Sequence, residues 1–369
     1  MISADDHIDL GYLPQDLWEK RLPKSLSDRG PKVVHRDQGD FWVCDGETWG
    51  DWRGGPWWSK QKPRNAVYAQ DRGGVAEDYV LRPTIPELRI ADMARDNVEA
   101  SVMFGPILPM NVSDVPLRHA CISAYNDWLV EFCSAAPHQF IGVGMLPTDD
   151  GAAAAHEVER ARKIGIRQVN FLVGMVTPGI YNDKAWEVFW DAAEDSEMVV
   201  SYHIGGGSPL PPAWPQKMPA FRFGLGSGFQ SFLEPFAGLF AFGVLERHPR
   251  LRFVMAESGT GWIPYVVQEM DYRYHRTLER KAAGDPEPLK YLPSETFRRQ
   301  VWATYQEDRV GLDLVKFFGE GHMMWASDYP HPDSTWPNSV PIVESETEEL
   351  PPNIRRQILR ENAKAFYGL

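Results

Sequence analysis

The sequence predicts an α/β fold, a (β/α)8 TIM barrel with a long insertion after its first strand and a closing helix at the C-terminal end. Buried-type apolar runs alternate with helical patterns eight times along the chain, as a parallel α/β barrel requires. The 369 residues exceed the usual length of one domain but suit a single barrel that carries insertions. Several of the apolar runs end in an acid or a histidine, at the position where barrel enzymes place their chemistry.

The chain begins with a short strand and continues into a long irregular segment. Ile2 to Asp5 is a short run that ends in an acid, and residues 9–83 then hold many Pro, Gly and Trp without a lasting helix or strand pattern. Irregular segments of this length in compact enzymes are usually lids or binding loops. We therefore predict one barrel domain, residues 1–369, in which residues 9–83 form a lid or substrate loop.

A cluster of Trp residues inside this insertion leaves two interpretations open. Its members are Trp42, Trp49, Trp52, Trp57 and Trp58. Large binding pockets are mostly apolar and aromatic, so Trp57 and Trp58 are candidate substrate-binding residues, with Arg53 to pair with an acidic group. Alternatively, the Trp side chains pin a long loop to the barrel.

From Thr84 onward the pattern is regular, and each element follows from its own signal. Strands are short apolar or β-branched runs that Gly, Pro or an acid interrupts, and they are predicted at residues 100–104, 140–145, 168–172, 199–203, 251–257, 301–304 and 323–328. Helices show apolar residues at helical spacing, often after Pro or Asp. They are predicted at residues 86–97, 114–135, 149–164, 183–195, 226–247, 263–281, 308–318 and 353–367.

Composition excludes several classes of partner. The formal net charge is −13, which argues against nucleic acid or an anionic membrane as the main partner. The chain shows neither a basic, apolar signal segment nor a long uncharged apolar run, so we expect a cytoplasmic protein. The three Cys residues do not suggest a disulfide framework or a thiolate metal site.

The ends of four predicted strands carry residues that can bind a metal ion. They are Asp5 and His7 at the first strand, His203 at the fifth, Glu257 at the sixth, and Asp328 with His331 at the eighth. The i, i+2 spacing of the first pair points both side chains the same way. Each residue alone has an ordinary structural explanation, but in a barrel all of them converge on one mouth. Carboxylates and imidazoles together suit Zn, Mn or Fe.

Short motifs spread along the chain carry a family resemblance. They are Ser3-Ala4-Asp5-Asp6-His7, Tyr125-Asn126-Asp127-Trp128, Gly144-Met145-Leu146-Pro147, Glu246-Arg247-His248-Pro249, Ala256-Glu257-Ser258-Gly259, Ser327-Asp328-Tyr329-Pro330 and Asn362-Ala363. In these motifs the chain resembles the amidohydrolase-related metal-dependent TIM-barrel enzymes, in the branch of the aminocarboxymuconate-semialdehyde decarboxylases. The resemblance implies that Asp5, His7, His203 and Asp328 are metal ligands.

Two positions depart from the family pattern. Decarboxylases of this family carry a histidine at the end of the sixth strand, where this chain has Glu257. Two-metal amidohydrolases use a carbamylated lysine on the fourth strand, where this chain has Asn170 and no lysine. A carbamylated bridge between two ions is therefore excluded.

The first hypothesis for the chemistry is a mononuclear metal enzyme. The four ligands hold a divalent ion, with Asp328 essential to the reaction, and Glu257 is the general base or the acid that protonates carbon as CO2 leaves. The substrate is a bulky cyclic or aromatic carboxylic acid or ester, and the reaction is hydrolysis or non-oxidative decarboxylation. The resemblance also allows a homodimer, although the helix patterns show no clear dimer face.

The second hypothesis treats Glu257 as a ligand that bridges two Fe ions, with His331 completing the site. In Glu257 and in the Trp-rich insertion, the chain is similar to a non-haem diiron monooxygenase of platensimycin and platencin biosynthesis. That reaction would hydroxylate a bulky apolar substrate, a terpenoid or a CoA ester. A third hypothesis, from another class, is a barrel that binds a partner without catalysis.

Overall fold

Eight parallel strands form the centre of the molecule. A computed structural model of the chain describes residues 1–52, 79–106, 112–205, 228–282, 287–331 and 334–369. The strands found there are β1 (Ile2–His7), β2 (Lys32–Arg36), β3 (Gly39–Cys44), β4 (Glu47–Asp51), β5 (Ala100–Phe104), β6 (Phe140–Met145), β7 (Gln168–Leu172), β8 (Val199–His203), β9 (Arg252–Ala256), β10 (Val301–Tyr305) and β11 (Met323–Trp325). The order of the large sheet is β1-β5-β6-β7-β8-β9-β10-β11.

The first and last strands of this sheet meet, so the sheet curls into a barrel. The backbone N–H of Asp328 donates to the carbonyl oxygen of Asp5 at 2.9 Å, and that of His7 donates to the carbonyl oxygen of Tyr329 at 2.6 Å. Neighbouring strands in the large sheet are parallel. The predicted (β/α)8 barrel is confirmed.

Helices surround the strands, and most of the long ones begin at the predicted caps. They are α1 (Lys24–Ser27), α2 (Pro86–Arg95), α3 (Val115–Cys133), α4 (Gly151–Ile164), α5 (Gly179–Asn182), α6 (Lys184–Asp195), α7 (Gln230–Ala241), α8 (Val244–Arg247), α9 (Ile263–Leu278), α10 (Pro293–Gln300), α11 (Arg309–Asp313), α12 (Val315–Phe318), α13 (Ser339–Glu346), α14 (Pro352–Arg356) and α15 (Asn362–Tyr367). Asp114, Asp150 and Asp183 accept backbone N–H groups at the starts of α3, α4 and α6. No helix in these ranges has the length and apolar character needed to span a membrane.

Two apolar cores surround and fill the barrel. The larger core lies between the strands and the helices. The smaller core fills the barrel interior with residues such as Ala4, Val102 and Val254, and the C-terminal residues Phe366 and Tyr367 pack into it. Apolar packing therefore fills this part of the interior, and the predicted metal-binding residues lie at the C-terminal ends of the strands.

The segment after β1 differs from its prediction. Residues 32–51 form the antiparallel sheet β2-β3-β4, whereas we expected no lasting strand pattern there. The strands are joined by tight turns, one of which uses Asp45 and Gly46 at φ 51° and 85°, the left-handed conformations of a hairpin turn. The Asp-Gly pair between two β-branched and aromatic runs was the signal for this hairpin.

Two of the clustered Trp side chains fasten this segment internally. The indole N–H of Trp42 donates to the carbonyl oxygen of Leu10 at 2.8 Å, and that of Trp52 donates to the carbonyl oxygen of Leu13 at 2.8 Å. Both Trp side chains are buried. Because their two bonds stay within the segment, pinning to the barrel and substrate binding both stay predictions for the cluster. The candidate substrate residues Arg53, Trp57 and Trp58 lie outside the described residues.

Candidate metal centre

The side chains predicted to bind a metal converge at the C-terminal end of the barrel. His7 Nε2 lies 3.6 Å from Asp5 Oδ1 and 3.1 Å from Asp328 Oδ1. His203 Nε2 lies 3.3 Å from Asp5 Oδ1 and 3.4 Å from Glu257 Oε2. Residues that are far apart in the sequence, at or just after the ends of four different strands, therefore surround one point.

An irregularity in β1 places the first two of these residues. The pairing of β1 with β5 shifts register between Ser3 and Asp6, as at a β-bulge. The carboxylate of Asp6 is buried and ties β1 to its neighbours by accepting hydrogen bonds from Ser3 Oγ at 2.7 Å, Ser327 Oγ at 2.6 Å, Tyr329 N–H at 3.1 Å and the Ser101 hydroxyl. Asp6 lies between the candidate ligands Asp5 and His7, and its hydrogen bonds fix the position of the strand that carries both.

Burial raises the pKa of Asp6 to about 6, although Arg89 and the hydroxyl donors act in the opposite direction. The guanidinium Nη2 of Arg89 lies 3.6 Å from Asp6 Oδ2. Arg89 Nη1 also donates to the backbone carbonyl oxygen of His7 at 3.1 Å. The buried Asp6–Arg89 pair was not predicted from the sequence. It stabilises β1, the strand that carries the candidate ligands Asp5 and His7.

Glu257 and Asp328, the acids that follow β9 and β11, each lie at a sharp backbone turn. Glu257 has φ 53° and Asp328 has φ 63°, the left-handed region that residues other than Gly rarely adopt. β9 ends at Ala256, directly before Glu257, and β11 ends at Trp325, shortly before Asp328. Both strands therefore end before their predicted ends. Such conformations persist where the surroundings hold them, and they are frequent at functional sites.

The centre is buried, and several of its polar atoms have no hydrogen-bond partner among the described residues. Asp5, His7, His203 and Asp328 each expose 1 % of their surface or less. Within the described part of the chain, neither ring nitrogen of His7 and neither carboxylate oxygen of Asp328 makes a hydrogen bond. Buried polar atoms without partners are unfavourable by about 1–3 kcal/mol each, so this arrangement indicates a ligand that the side chains are shaped to hold.

The geometry and charge fit a divalent metal ion. Ligand atoms that each lie about 2.1 Å from one ion are about 3.0–3.4 Å apart. Three of the four separations above lie in this range, and the fourth, between His7 Nε2 and Asp5 Oδ1, is 3.6 Å. Burial, together with the nearby His331 and His203, lowers the pKa of His7 well below its usual value. The His7 ring is therefore neutral at pH 7, as a metal ligand must be.

His331 also reaches the centre, and it brings a residue that the sequence prediction missed. His331 Nδ1 lies 3.0 Å from Asp328 Oδ1, and His331 Nε2 lies 3.0 Å from Asp9 Oδ2. Two groups, Asp5-His7-His203 and His7-Asp328-His331, each have ligand atoms within 4.8 Å of one another. The signal for Asp9 was the alternation Asp5, His7, Asp9, which continues the same face beyond the first pair.

Electrostatics couple Asp9 to His331. Burial acts to lower the pKa of His331, but the carboxylates of Asp328 and Asp9 raise it well above its usual value. Burial likewise acts to raise the pKa of Asp9, and the charge of His331 more than offsets this and lowers it. The ring is held between two carboxylates.

Two residues named in the comparison with the family lie outside the centre. His248 precedes β9 at the opposite end of the barrel, where its Nε2 is 3.2 Å from Glu187 Oε1. Asn170, at the position of the absent lysine, accepts a hydrogen bond from Ser201 Oγ at 3.1 Å.

A parallel α/β barrel with buried carboxylate and imidazole groups that could hold a metal ion at its C-terminal mouth is typical of the class of metal-dependent barrel enzymes. The amidohydrolase family profile matches residues 41–369, which is most of the chain. The chain belongs to the amidohydrolase family, and the predicted resemblance is confirmed.

Known relatives are distant in sequence but similar in length. A gamma-resorcylate decarboxylase from Rhizobium sp. (strain MTP-10005) is 23 % identical over 330 residues, which cover 81 % of this chain and 94 % of the relative. A 2-amino-3-carboxymuconate-6-semialdehyde decarboxylase from Dictyostelium discoideum is 22 % identical over 291 residues, which cover 77 % of each chain.

Solved structures share the fold. An amidohydrolase from Mycobacterium avium subsp. paratuberculosis K-10 superposes with a TM-score of 0.74 at 19 % identity, over 99 % of this chain and 98 % of the other. A 5-carboxyvanillate decarboxylase from Novosphingobium aromaticivorans, complexed with manganese and 4-hydroxy-3-methoxy-5-nitrobenzoic acid, has a TM-score of 0.65 at 18 % identity, over 85 % of this chain and 86 % of the other. These proteins are named as decarboxylases or amidohydrolases, so the comparisons give no support to the diiron monooxygenase hypothesis or to a non-catalytic barrel.

Proposed function

We propose that this chain is a metal-dependent decarboxylase that removes CO2 from an aromatic carboxylic acid. The observation that carries the proposal is the buried ligand set at the barrel mouth, with the carboxylate of Glu257 beside it. Relatives named for gamma-resorcylate and 5-carboxyvanillate support a hydroxylated benzoic acid as the substrate. Arg53, Trp57 and Trp58 are our candidates for contact with it.

Asp5, His7, His203 and Asp328 would hold the ion, and His331 reaches the same centre from the Asp328 side. Manganese is the first candidate because a similar solved structure contains it, and zinc or iron would suit the same nitrogen and oxygen donors. When bound, the ion would polarise a substrate oxygen and neutralise the acids that face the site.

Glu257 is placed to deliver the proton that replaces CO2. Its side chain is 16 % exposed, whereas His203, 3.4 Å from its Oε2, is fully buried. This partial exposure supports access of a substrate to Glu257. The protonated carboxyl group gives its proton to the ring carbon that bears the carboxylate. The bond from that carbon to CO2 then breaks, its electron pair restores the aromatic ring, and solvent reprotonates Glu257.

The test is a turnover assay in D2O. The purified protein, loaded with Mn2+, is incubated with 2,6-dihydroxybenzoate and 5-carboxyvanillate, and released CO2 and the product are measured. We expect one CO2 per product, with one deuterium on the carbon that carried the carboxylate. Hydrolysis of aryl esters without CO2 release would instead establish the hydrolase activity and overturn decarboxylation, as would the absence of turnover on a panel of aromatic acids.

Glu257→Gln tests the proton donor. The substitution keeps the size of the side chain but removes the transferable proton, so we expect kcat to fall by about 10²- to 10⁴-fold while Mn2+ binding persists. Glu348→Gln, at an exposed position, is the matched control and should match the wild type. Wild-type kcat in Glu257→Gln would remove Glu257 from the reaction.

A further inference from the structure

We infer that Asp9 is a positioning residue of the metal centre that acts through His331. The inference rests on the proposed metal site and adds to it a residue outside the ligand set that the family resemblance implies. None of the contacts described above joins Asp9 directly to Asp5, His7, His203 or Asp328. Its carboxylate instead engages the ring that packs against two of them.

The His331 ring is fixed on three sides. Its Nε2 lies 3.0 Å from Asp9 Oδ2, and its Nδ1 lies 3.0 Å from Asp328 Oδ1. Its face stacks on the His7 ring with 3.7 Å between centroids and 22° between planes. A rotation of this ring would therefore disturb both Asp328 and His7.

The Asp9 side chain points to His331 and does not cap the helical turn that follows it. Asp9 directly precedes the 3₁₀ turn Leu10–Tyr12, where an Asp commonly caps the backbone N–H groups. Here the side chain makes no capping hydrogen bond. Among the described residues its Oδ1 also has no hydrogen-bond partner, so the carboxylate is committed to His331 through Oδ2.

This arrangement has the form of a carboxylate that orients a metal-binding histidine. A histidine ligand usually donates its second ring N–H to a carboxylate, which fixes the tautomer and the orientation of the ring. The Nε2–H group donates to Asp9, and Nδ1 lies 3.0 Å from Asp328 Oδ1. Metal binding would displace the proton on Nδ1 and leave its lone pair for the ion. His331 is then the ligand on this side of the centre, and Asp9 sets its direction.

The competing explanation is that Asp9 merely stabilises the loop after β1. The two explanations differ in whether the effect of Asp9 on metal binding needs His331. We would therefore measure Mn2+ affinity, by the electron paramagnetic resonance signal of free Mn2+, in wild-type apoprotein, Asp9→Ala, His331→Ala and the double variant. The probe is Mn2+ alone, without substrate.

We expect Asp9→Ala to weaken Mn2+ binding by about 10- to 100-fold and His331→Ala to weaken it at least as much. The double variant should bind no more weakly than His331→Ala, because Asp9 has nothing left to orient. Asp9→Asn should fall between Asp9→Ala and the wild type, since its amide oxygen still accepts the hydrogen bond. Additive losses in the double variant, or wild-type affinity in Asp9→Ala, would overturn the inference.

Asp96→Ala is the matched control. Asp96 is as buried as the metal-site acids, but it accepts the backbone N–H of Ser339 at 2.9 Å, on α13. Its loss should lower thermal stability and leave Mn2+ affinity unchanged. If Asp9→Ala does not fold, Asp9→Asn replaces it in the same cycle with the same criterion. Coupled Mn2+ binding without CO2 release would sink the proposed function but leave the role of Asp9 standing.

Discussion

At the scale of single residues, Thr304 joins the two sides of the centre through one hydroxyl group. Its Oγ1 donates to Asp5 Oδ2 at 3.2 Å and accepts the backbone N–H of Glu257 at 2.8 Å. Thr304 is fully buried on β10, a strand that offers no metal ligand of its own. It therefore fixes a ligand on one strand and the proposed proton donor on another.

Thr304→Val keeps the shape of this side chain and removes the hydroxyl group. The Glu257 N–H then loses its acceptor and Asp5 loses a donor, at about 1–3 kcal/mol for each buried group. We expect a lower free energy of unfolding in urea and weaker Mn2+ binding, while Thr304→Ser should stay close to the wild type in both. A valine variant equal to the wild type in both measurements would show that the hydroxyl group holds neither residue.

The sequence could predict most of the centre because its residues stand where strands end. Asp5, His7 and His203 lie at the ends of strands, and Glu257 and Asp328 follow just after, so strand alternation and barrel order bring them together. Asp9 was missed because the prediction treated it as the start of an irregular loop. The alternation Asp5, His7, Asp9 was a local signal for its side of the chain, but its contact with His331, 322 positions away, is not visible in any local pattern.

At the scale of elements, buried strands were easier to predict than breaks in helices. The strands β5 to β8 match their predicted bounds, since each is a continuous apolar run between Gly, Pro or polar residues. The helix predicted at residues 226–247 is in fact α7 and α8, separated around Gly243 at φ 67°. Likewise, residues 308–318 form α11 and α12, and the closing helix contains a π-helical turn at Gln357–Glu361. A Gly inside a helical pattern is tolerated often enough that its break is not evident in advance.

Gly243 tests this account of the break before α8. An ideal Cβ there would meet only Arg247 Nη1 at 3.5 Å and Leu289 Cδ2 at 3.9 Å, so space is available and the backbone conformation alone opposes a side chain. We expect Gly243→Ala to lower the free energy of unfolding by about 1–2 kcal/mol, measured from the urea midpoint at constant slope. Gly243→Asn should lose less, because Asn tolerates this conformation better.

Gly321→Ala is the control for that substitution. A Cβ at Gly321 meets nothing within 4 Å, and its φ lies outside the left-handed range. It should unfold at the wild-type midpoint. Equal loss in both variants would mean that the effect comes from something other than the left-handed backbone at Gly243.

At the scale of the whole molecule, apolar packing fills the barrel interior and buried charged groups face one another at its mouth. Inside its N-terminal half, apolar side chains and the C-terminal residues Phe366 and Tyr367 pack together. At the mouth, buried acids and imidazoles face one another without hydrogen bonds among the described residues for His7 and Asp328. The backbone hydrogen bonds between β1 and the loop after β11 also lie at the mouth. Because these bonds close the barrel, its closure depends on how the charges of the buried acids and imidazoles are balanced.

Metal removal should therefore destabilise the entire fold and not only the site. An ion that binds the folded chain alone adds about 2.7 kcal/mol of stability when present at 100 times its Kd. We expect chelation to lower the thermal unfolding midpoint, and Mn2+ to restore it in a concentration-dependent way. His203→Ala removes a fully buried ligand, so its midpoint should respond much less to Mn2+ than that of the wild type. The same midpoint for wild-type protein with chelator and with saturating Mn2+ would show that the mouth is stable without an ion, because binding and folding are thermodynamically linked.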